Sequence, residues 1–271
     1  MGRKGYLNRM KFTCIVLFAA LMTGCSKTND RELIWSDEFD TNGAPDSTKW
    51  DYDLGDGCPN CGWGNNEQQY YTRNQSNVRI ENGSLLIEAK KEEMNGKPYT
   101  STRLVSRKKG DWLYGRVEVK AKLPSGKGTW PAIWMLPTEW KYGGWPASGE
   151  IDIMEHVGFD AGVIHGTLHT ETYNFQKQTQ REGKITIPDC TTTFHVYAIE
   201  WTPDRIDFFV DEKQYHSVIK NPGDDYKAWP FDQKFHLILN IAVGGNWGGQ
   251  QGIDDSIWPQ RMEVDWVRIY K

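Results

Sequence analysis
The sequence has no apolar run long enough to cross a bilayer as a helix. Phe12 to Met22 is eleven residues, against the ~20 that a hydrocarbon core requires. Hydrophobic residues make up 38% and mean hydropathy is −0.67, which excludes a multi-span membrane protein. Positive charge is not in surplus either. Lys and Arg number 32 and Asp and Glu 36, a formal −4. Without a basic face to replace counterions, no nucleic-acid partner is expected. No internal repeat, low-complexity stretch or long amphipathic helical pattern appears. Charged residues, 25% with both signs interspersed, exclude intrinsic disorder.

Arg3, Lys4, Arg9 and Lys11 precede the short apolar run, which closes on Leu21-Met22-Thr23-Gly24-Cys25. This resembles a bacterial lipobox, in which the cysteine is lipidated and becomes the new N-terminus. Residues 1–24 are therefore read as a lipoprotein signal peptide, 25–32 as a tether and 33–271 as one domain. Losing residues 1–24 leaves 28 basic against 36 acidic residues, a balance of −8. The expected location is the bacterial outer membrane, anchored through Cys25, at the cell surface or in the periplasm. Of the five cysteines, Cys58, Cys61 and Cys190 then remain. Cys58-Pro-Asn-Cys61 lies among Gly and Asp in a loop, as a small disulfide or two free thiols. No second ligand pair with zinc spacing accompanies it.

What is abundant is aromatic residues: 13 Trp, 12 Tyr and 10 Phe, with 27 Gly. A core alone does not need that many tryptophans, and the surplus suggests a surface that stacks on something flat. Arg116 to Leu123 alternates, with Val117, Val119, Ala121 and Leu123 on one face and Glu118, Lys120 and Lys122 on the other. That is the period of a half-buried strand. Ser84–Ala89, His195–Trp201, Arg205–Val210, Phe235–Ala242 and Val264–Tyr270 are further β-prone runs. Asn82-Gly83, Pro124-Ser125-Gly126, Pro203-Asp204, Asp211-Glu212 and Gly244-Gly245-Asn246 read as turns between strands. The pattern predicts one all-β antiparallel sandwich.

Glu150-Ile151-Asp152-Ile153-Met154-Glu155 puts three carboxylates in an apolar, β-prone run. On a regular strand Glu150 and Asp152 share a face, and Glu155 points to the other. A β-bulge at Ile153-Met154 returns Glu155 to their face. Glu150 and Glu155 then stand ~13 Å apart at Cα. Side chains leaning together reach roughly the 5–5.5 Å of a retaining glycosidase pair, with the inverting range also open. Three clustered carboxylates repel, so one should hold a proton near neutral pH, as a general acid requires.

This run resembles the E-x-D-x-x-E signature of glycoside hydrolase family 16, in its laminarinase-like, bulged branch. Trp35 to Phe39, Gly62 to Thr72, Gly128 to Leu136, Gly244 to Gly249 and Trp266 to Tyr270 are also similar to it. The resemblance implies a concanavalin-like β-jelly-roll of two curved antiparallel sheets with a substrate cleft on the concave face. It implies a retaining endo-β-glucanase acting on 1,3-glucan (laminarin) or mixed-linkage 1,3-1,4-glucan, without a catalytic cofactor and as a monomer. Glu150 matches the nucleophile and Glu155 the general acid/base. Asp152 matches the carboxylate between them, which is expected to hydrogen-bond to and modulate the nucleophile, and its charge is also expected to keep the Glu155 proton in place. Trp130, Trp134, Trp145 and Trp247 match tryptophans that stack on sugar rings. Asn65, Asn66 and Arg103 match polar positions on the glycone side, and His169 a histidine on the leaving-group side. A structural calcium is implied through Glu38, the Gly83 carbonyl and Asp265. Thr102 stands where a small Ala is frequent, and Cys58-Pro-Asn-Cys61 decorates the first cleft loop, where linkage preference is set. A non-catalytic surface glycan-binding protein on the same sandwich is the competing function, because fold alone does not separate the two.

Overall fold
The computed structural model describes residues 1–2 and 31–271. The leader, Cys25 and most of the tether expected from the sequence fall outside the described residues. Arg31–Lys271 forms one compact unit, and no helix among the described residues is long and apolar enough to cross a membrane.

Eighteen strands follow one another among the described residues. They are β1 (Leu33–Asp37), β2 (Asp51–Tyr52), β3 (Gln69–Tyr71), β4 (Val78–Glu81), β5 (Ser84–Ala89), β6 (Tyr99–Ser101), β7 (Arg103–Val105), β8 (Asp111–Trp112) and β9 (Gly115–Lys122). The second half holds β10 (Thr129–Pro137), β11 (Glu150–Glu155), β12 (Val163–His169), β13 (Arg181–Thr186), β14 (His195–Trp201), β15 (Arg205–Val210), β16 (Lys213–Ile219), β17 (Phe235–Val243) and β18 (Gln260–Tyr270). One eight-stranded sheet runs β16-β15-β14-β9-β18-β5-β4, with β1 against β18. The other, also eight-stranded, runs β13-β12-β11-β10-β17-β7-β2, with β8 against β17. The predicted jelly-roll sandwich is what forms.

Side-chain alternation divides each strand between core and surface. In the second sheet Ile133, Met135, Ile151, Ile164, Leu168, Leu237, Leu239 and Ile241 are buried in the core. Val117, Val119, Ala121, Tyr197, Ile199, Val264, Val267 and Ile269 join that core from the first sheet. The turns predicted at Asn82-Gly83 and Asp211-Glu212 close the β4–β5 and β15–β16 hairpins. All four residues have positive φ (54°, 76°, 49° and 64°), the backbone that two-residue hairpins need to match strand twist.

The outer face of β9 differs from expectation. Glu118 is buried rather than solvated, as is Arg116. Arg116 gathers three carboxylates: Nε reaches Glu118 at 2.5 Å, Nη1 Glu200 at 3.1 Å and Nη2 Glu212 at 2.6 Å. Its guanidinium also lies 5.0 Å from the Phe209 ring centre. Alternation thus marks the core face of β9 correctly, but the opposite face is closed by charge pairing instead of water. Removing one partner of such a buried set strands the other charges. Arg116→Met should lower unfolding free energy in urea by about 3 kcal/mol. Adding Glu118→Gln to that variant should restore part of the loss.

Candidate active site
The β-bulge is present, and it organises the cleft. Against β10, Ile133 pairs with Met154 and Trp134 with Asp152, so Ile153 is the extra residue. Against β12, Glu150 faces His169, Asp152 faces Thr167 and Glu155 faces His165. Ile151, Ile153 and Met154 are buried in the core, while Glu150, Asp152 and Glu155 all line one hollow of about 450 Å³. Just before β11, Gly149 has φ +85°, and a Cβ there would stand 2.8 Å from Pro230 Cγ. Only glycine lets the chain enter this strand so close to the Pro230-Phe231 segment.

Indole N–H groups hold the two glutamates. Trp145 Nε1 donates to Glu150 Oε2 at 2.8 Å, and Trp130 Nε1 donates to Glu155 Oε1 at 3.0 Å. Burial, together with the charges of Glu150, Glu182 and Glu67, pushes the Glu155 carboxyl up to about 8, while the Trp130 hydrogen bond pulls it down. Asp152 lies between the two glutamates on the same strand. Its own carboxyl is pushed well above the usual range, by burial first and then by Glu150 and Glu155.

Two halves meet at these carboxyls. In the half beyond β10, Arg103 lies between two indoles, 4.4 Å from the Trp63 ring centre and 4.7 Å from that of Trp134. Its Nε is 3.3 Å from Asp53 Oδ2, which supplies the carboxylate a buried arginine needs. Trp134 Nε1 donates to Asn240 Oδ1 at 2.6 Å, and Asn240 Nδ2 donates to the Tyr71 hydroxyl at 3.0 Å. Glu67 lies behind, accepting from Gln69 Nε2 at 2.6 Å and Asn65 Nδ2 at 3.4 Å. Asn65 lines the cleft. Asn66 does not: it takes a left-handed backbone (φ 56°), and its amide donates to Asn246 Oδ1 at 2.7 Å in a separate hollow. Neighbouring asparagines are alike in sequence, and only the backbone decides which one faces the cleft.

The other half, a hollow of about 420 Å³, lies over β12 and β13. Trp247 is held edge-on against Trp130, ring centres 5.5 Å apart, and against His165 at 4.8 Å. The glycine loop that carries it must lie flat on Trp130: a Cβ on Gly248 would stand 2.8 Å from Trp130 Cβ. His169 lines this half, with Nε2 3.4 Å from Asp152 Oδ2 and its ring beside Trp145 and Phe175. Trp63, Trp140, Glu67, Asn240 and His165 went unpicked from sequence. Alternation along the strands would have found Asn240 and His165, which share the face of Ala242 and Thr167.

The two carboxylates implied as calcium ligands each meet a cation of the chain. Arg268 takes both oxygens of Glu38, at 3.1 and 2.8 Å, and that bond holds the Glu38 carboxyl below its ordinary range. Asp265 Oδ2 pairs with Lys120 Nζ at 2.8 Å. Each carboxylate is already balanced by a cation of the chain. Cys58 and Cys61 are joined as a disulfide, so their sulfurs near Asp56 are not thiolate ligands. Glu150, Asp152 and His169 do bring ligand atoms within 4.8 Å of one another, although burial pushes the Asp152 carboxyl upward and so disfavours the anion there.

A jelly-roll sandwich with paired carboxyls set among cleft indoles defines a polysaccharide hydrolase. The chain belongs to glycosyl hydrolases family 16, whose pattern matches residues 65–268. It is 52% identical to a β-glucanase of Rhodothermus marinus, over 100% of this chain and 97% of that protein. Its structure superposes on the laminarinase from Rhodothermus marinus with a TM-score of 0.86, at 56% identity, covering 89% of this chain and 97% of the other. It is also similar to SCLam, a non-specific endo-β-1,3(4)-glucanase, with a TM-score of 0.84 at 48% identity, covering 90% and 92%.

The Glu155 proton is open to direct measurement. Carbon-13 NMR titration of its carboxyl should give a midpoint near 8. Trp130→Phe removes a donor that favours the carboxylate, so it should move that midpoint upward. A downward move, or a midpoint in the ordinary glutamate range for the parent protein, would contradict the arrangement described.

Proposed function
We propose that this chain is a retaining endo-β-glucanase cleaving 1,3-glucan, mixed-linkage 1,3-1,4-glucan or both, with Glu150 as nucleophile and Glu155 as acid/base. The observation that carries the reading is the bulge, which sets a high-pKa Glu155 beside Glu150 on the floor of an indole-lined cleft. It favours an enzyme over a glycan-binding protein, since crowding three carboxyls together, Asp152 buried and both glutamates half-buried, costs stability that binding alone does not repay.

The roles follow from the partners. Glu150, steadied by Trp145 N–H, attacks the anomeric carbon. The glycosidic C–O bond breaks, and its oxygen takes the proton of Glu155. The resulting Glu155 carboxylate, steadied by Trp130 N–H, removes a proton from water. The water oxygen then displaces Glu150 and restores both groups, so two inversions retain the anomer. Asp152, whose carboxyl is pushed upward by burial and by Glu150, shares a hydrogen bond with the nucleophile and tempers its charge. Arg103, Trp63 and Trp134 hold the glycone, and Trp247 stacks on the distal side. A cleft open on both flanks of β11 calls for cleavage inside the polymer.

Laminarin and barley glucan should release oligosaccharides before glucose, and proton NMR should show the first product as the β-anomer. Glu150→Gln should reduce reducing-sugar release by about a thousandfold or more, with Asp152→Asn losing less. A first product in the α-form, or no release by the parent protein from any β-glucan, would overturn the reading.

We also propose that the chain is a lipoprotein anchored through Cys25, with the catalytic body facing the cell exterior. The basic segment, short apolar run and closing cysteine support this. Cys25→Ala should move the protein from the membrane to the soluble fraction; unchanged partitioning would count against the anchor.

A further inference from the structure
His165 is used by none of the roles above. It sits opposite Glu155 in the β11–β12 ladder, on the cleft face of β12. Its ring is 3% exposed. On one side Nδ1 lies 2.6 Å from Glu182 Oε1, on β13. Glu182 is held in turn by Lys184, whose Nζ is 3.4 Å from Oε2. A carboxylate only accepts hydrogen bonds, so Nδ1 carries the hydrogen. In the uncharged ring that leaves Nε2 a bare acceptor. Nε2 is buried and meets no partner among the described residues. Gln180 Oε1 is also buried without one. Both residues line the β12–β13 half of the cleft, with Trp247 edge-on to the imidazole at 4.8 Å.

An unpaired buried acceptor costs free energy until something donates to it. The edge-on indole fixes the ring plane, and Glu182 fixes the tautomer. A ring so constrained beside an open hollow is arranged for a hydroxyl. Arg103 and Trp134 come from β7 and β10, on the opposite side of β11 from His165. A glycan lying across the strands therefore places its leaving portion over β12 and β13.

We propose that His165, oriented by Glu182, accepts a hydrogen bond from a hydroxyl of the sugar unit on the leaving side of the scissile bond. It is a specificity-determining residue for the leaving sugar, and this assignment rests on the glucanase reading.

Two substrates that share a glycone separate it from other roles. One is a short β-1,3-gluco-oligosaccharide, whose leaving group is a sugar. The other is the aryl β-glycoside of the same glycone, whose leaving group carries no sugar hydroxyl. His165→Ala should lower the ratio of kcat/KM on the oligosaccharide to that on the aryl glycoside about tenfold, chiefly through KM. His165→Gln, whose amide oxygen can stand near the place of Nε2, should recover part of the ratio. Glu182→Gln should fall between parent and His165→Ala. Both rates come from one preparation, so partial misfolding cancels from the ratio. An unchanged ratio, whether the two activities fall together or not at all, overturns the assignment while leaving the glucanase reading intact. A parent protein that cleaves neither substrate overturns both.

Discussion
Three carboxyl groups on one buried patch of sheet repel one another, and the rest of the cleft is arranged around that repulsion. The extra residue at Ile153 creates it, by turning Glu155 back to the face of Glu150 and Asp152. In low dielectric such charges cannot all persist. The protein answers in two ways. Burial raises the carboxyls of Asp152 and Glu155 above their ordinary range, and an indole N–H approaches each glutamate. The same burial that makes the patch costly raises the Glu155 carboxyl to about 8.

The indoles therefore carry two loads. Trp130 and Trp145 donate at one edge and present a ring to the cleft. Trp134 donates to Asn240 while its ring covers Arg103. Core tryptophans are different: Trp50, Trp112, Trp201 and Trp229 are buried, and Trp50 N–H goes to the buried Asp37 at 2.7 Å. Asp37 and Trp50 thus tie the first strand to the body, in the same Trp35–Phe39 segment whose Glu38 was expected to hold a cation.

Much of this was legible because strand alternation is strict. A period of two assigned the core face of β9, and a failure of that period at Glu155 exposed the bulge. The hairpin turns were legible because Asn82-Gly83 and Asp211-Glu212 have few other uses between strands. What was illegible depended on contacts between distant segments. Nothing local to Arg116 announces that Glu200 and Glu212 converge on it from other parts of the chain. Glu67 reads as an ordinary loop acid until β3 brings Gln69 and Tyr71 around it. Asn65 and Asn66 were separable only by backbone conformation, and the Glu38 and Asp265 carboxylates only by the cations they meet.

The distribution of tryptophan has a consequence for observation. Six of the thirteen indoles (Trp63, Trp130, Trp134, Trp140, Trp145 and Trp247) line the cleft. Indole emission shifts with the polarity around the ring, and a glycan entering the cleft replaces water beside the indoles it covers. The protein thus carries its own optical reporter, without a dye or label. In a variant that no longer cleaves, a glycan's arrival can be followed by light alone, apart from its breakdown.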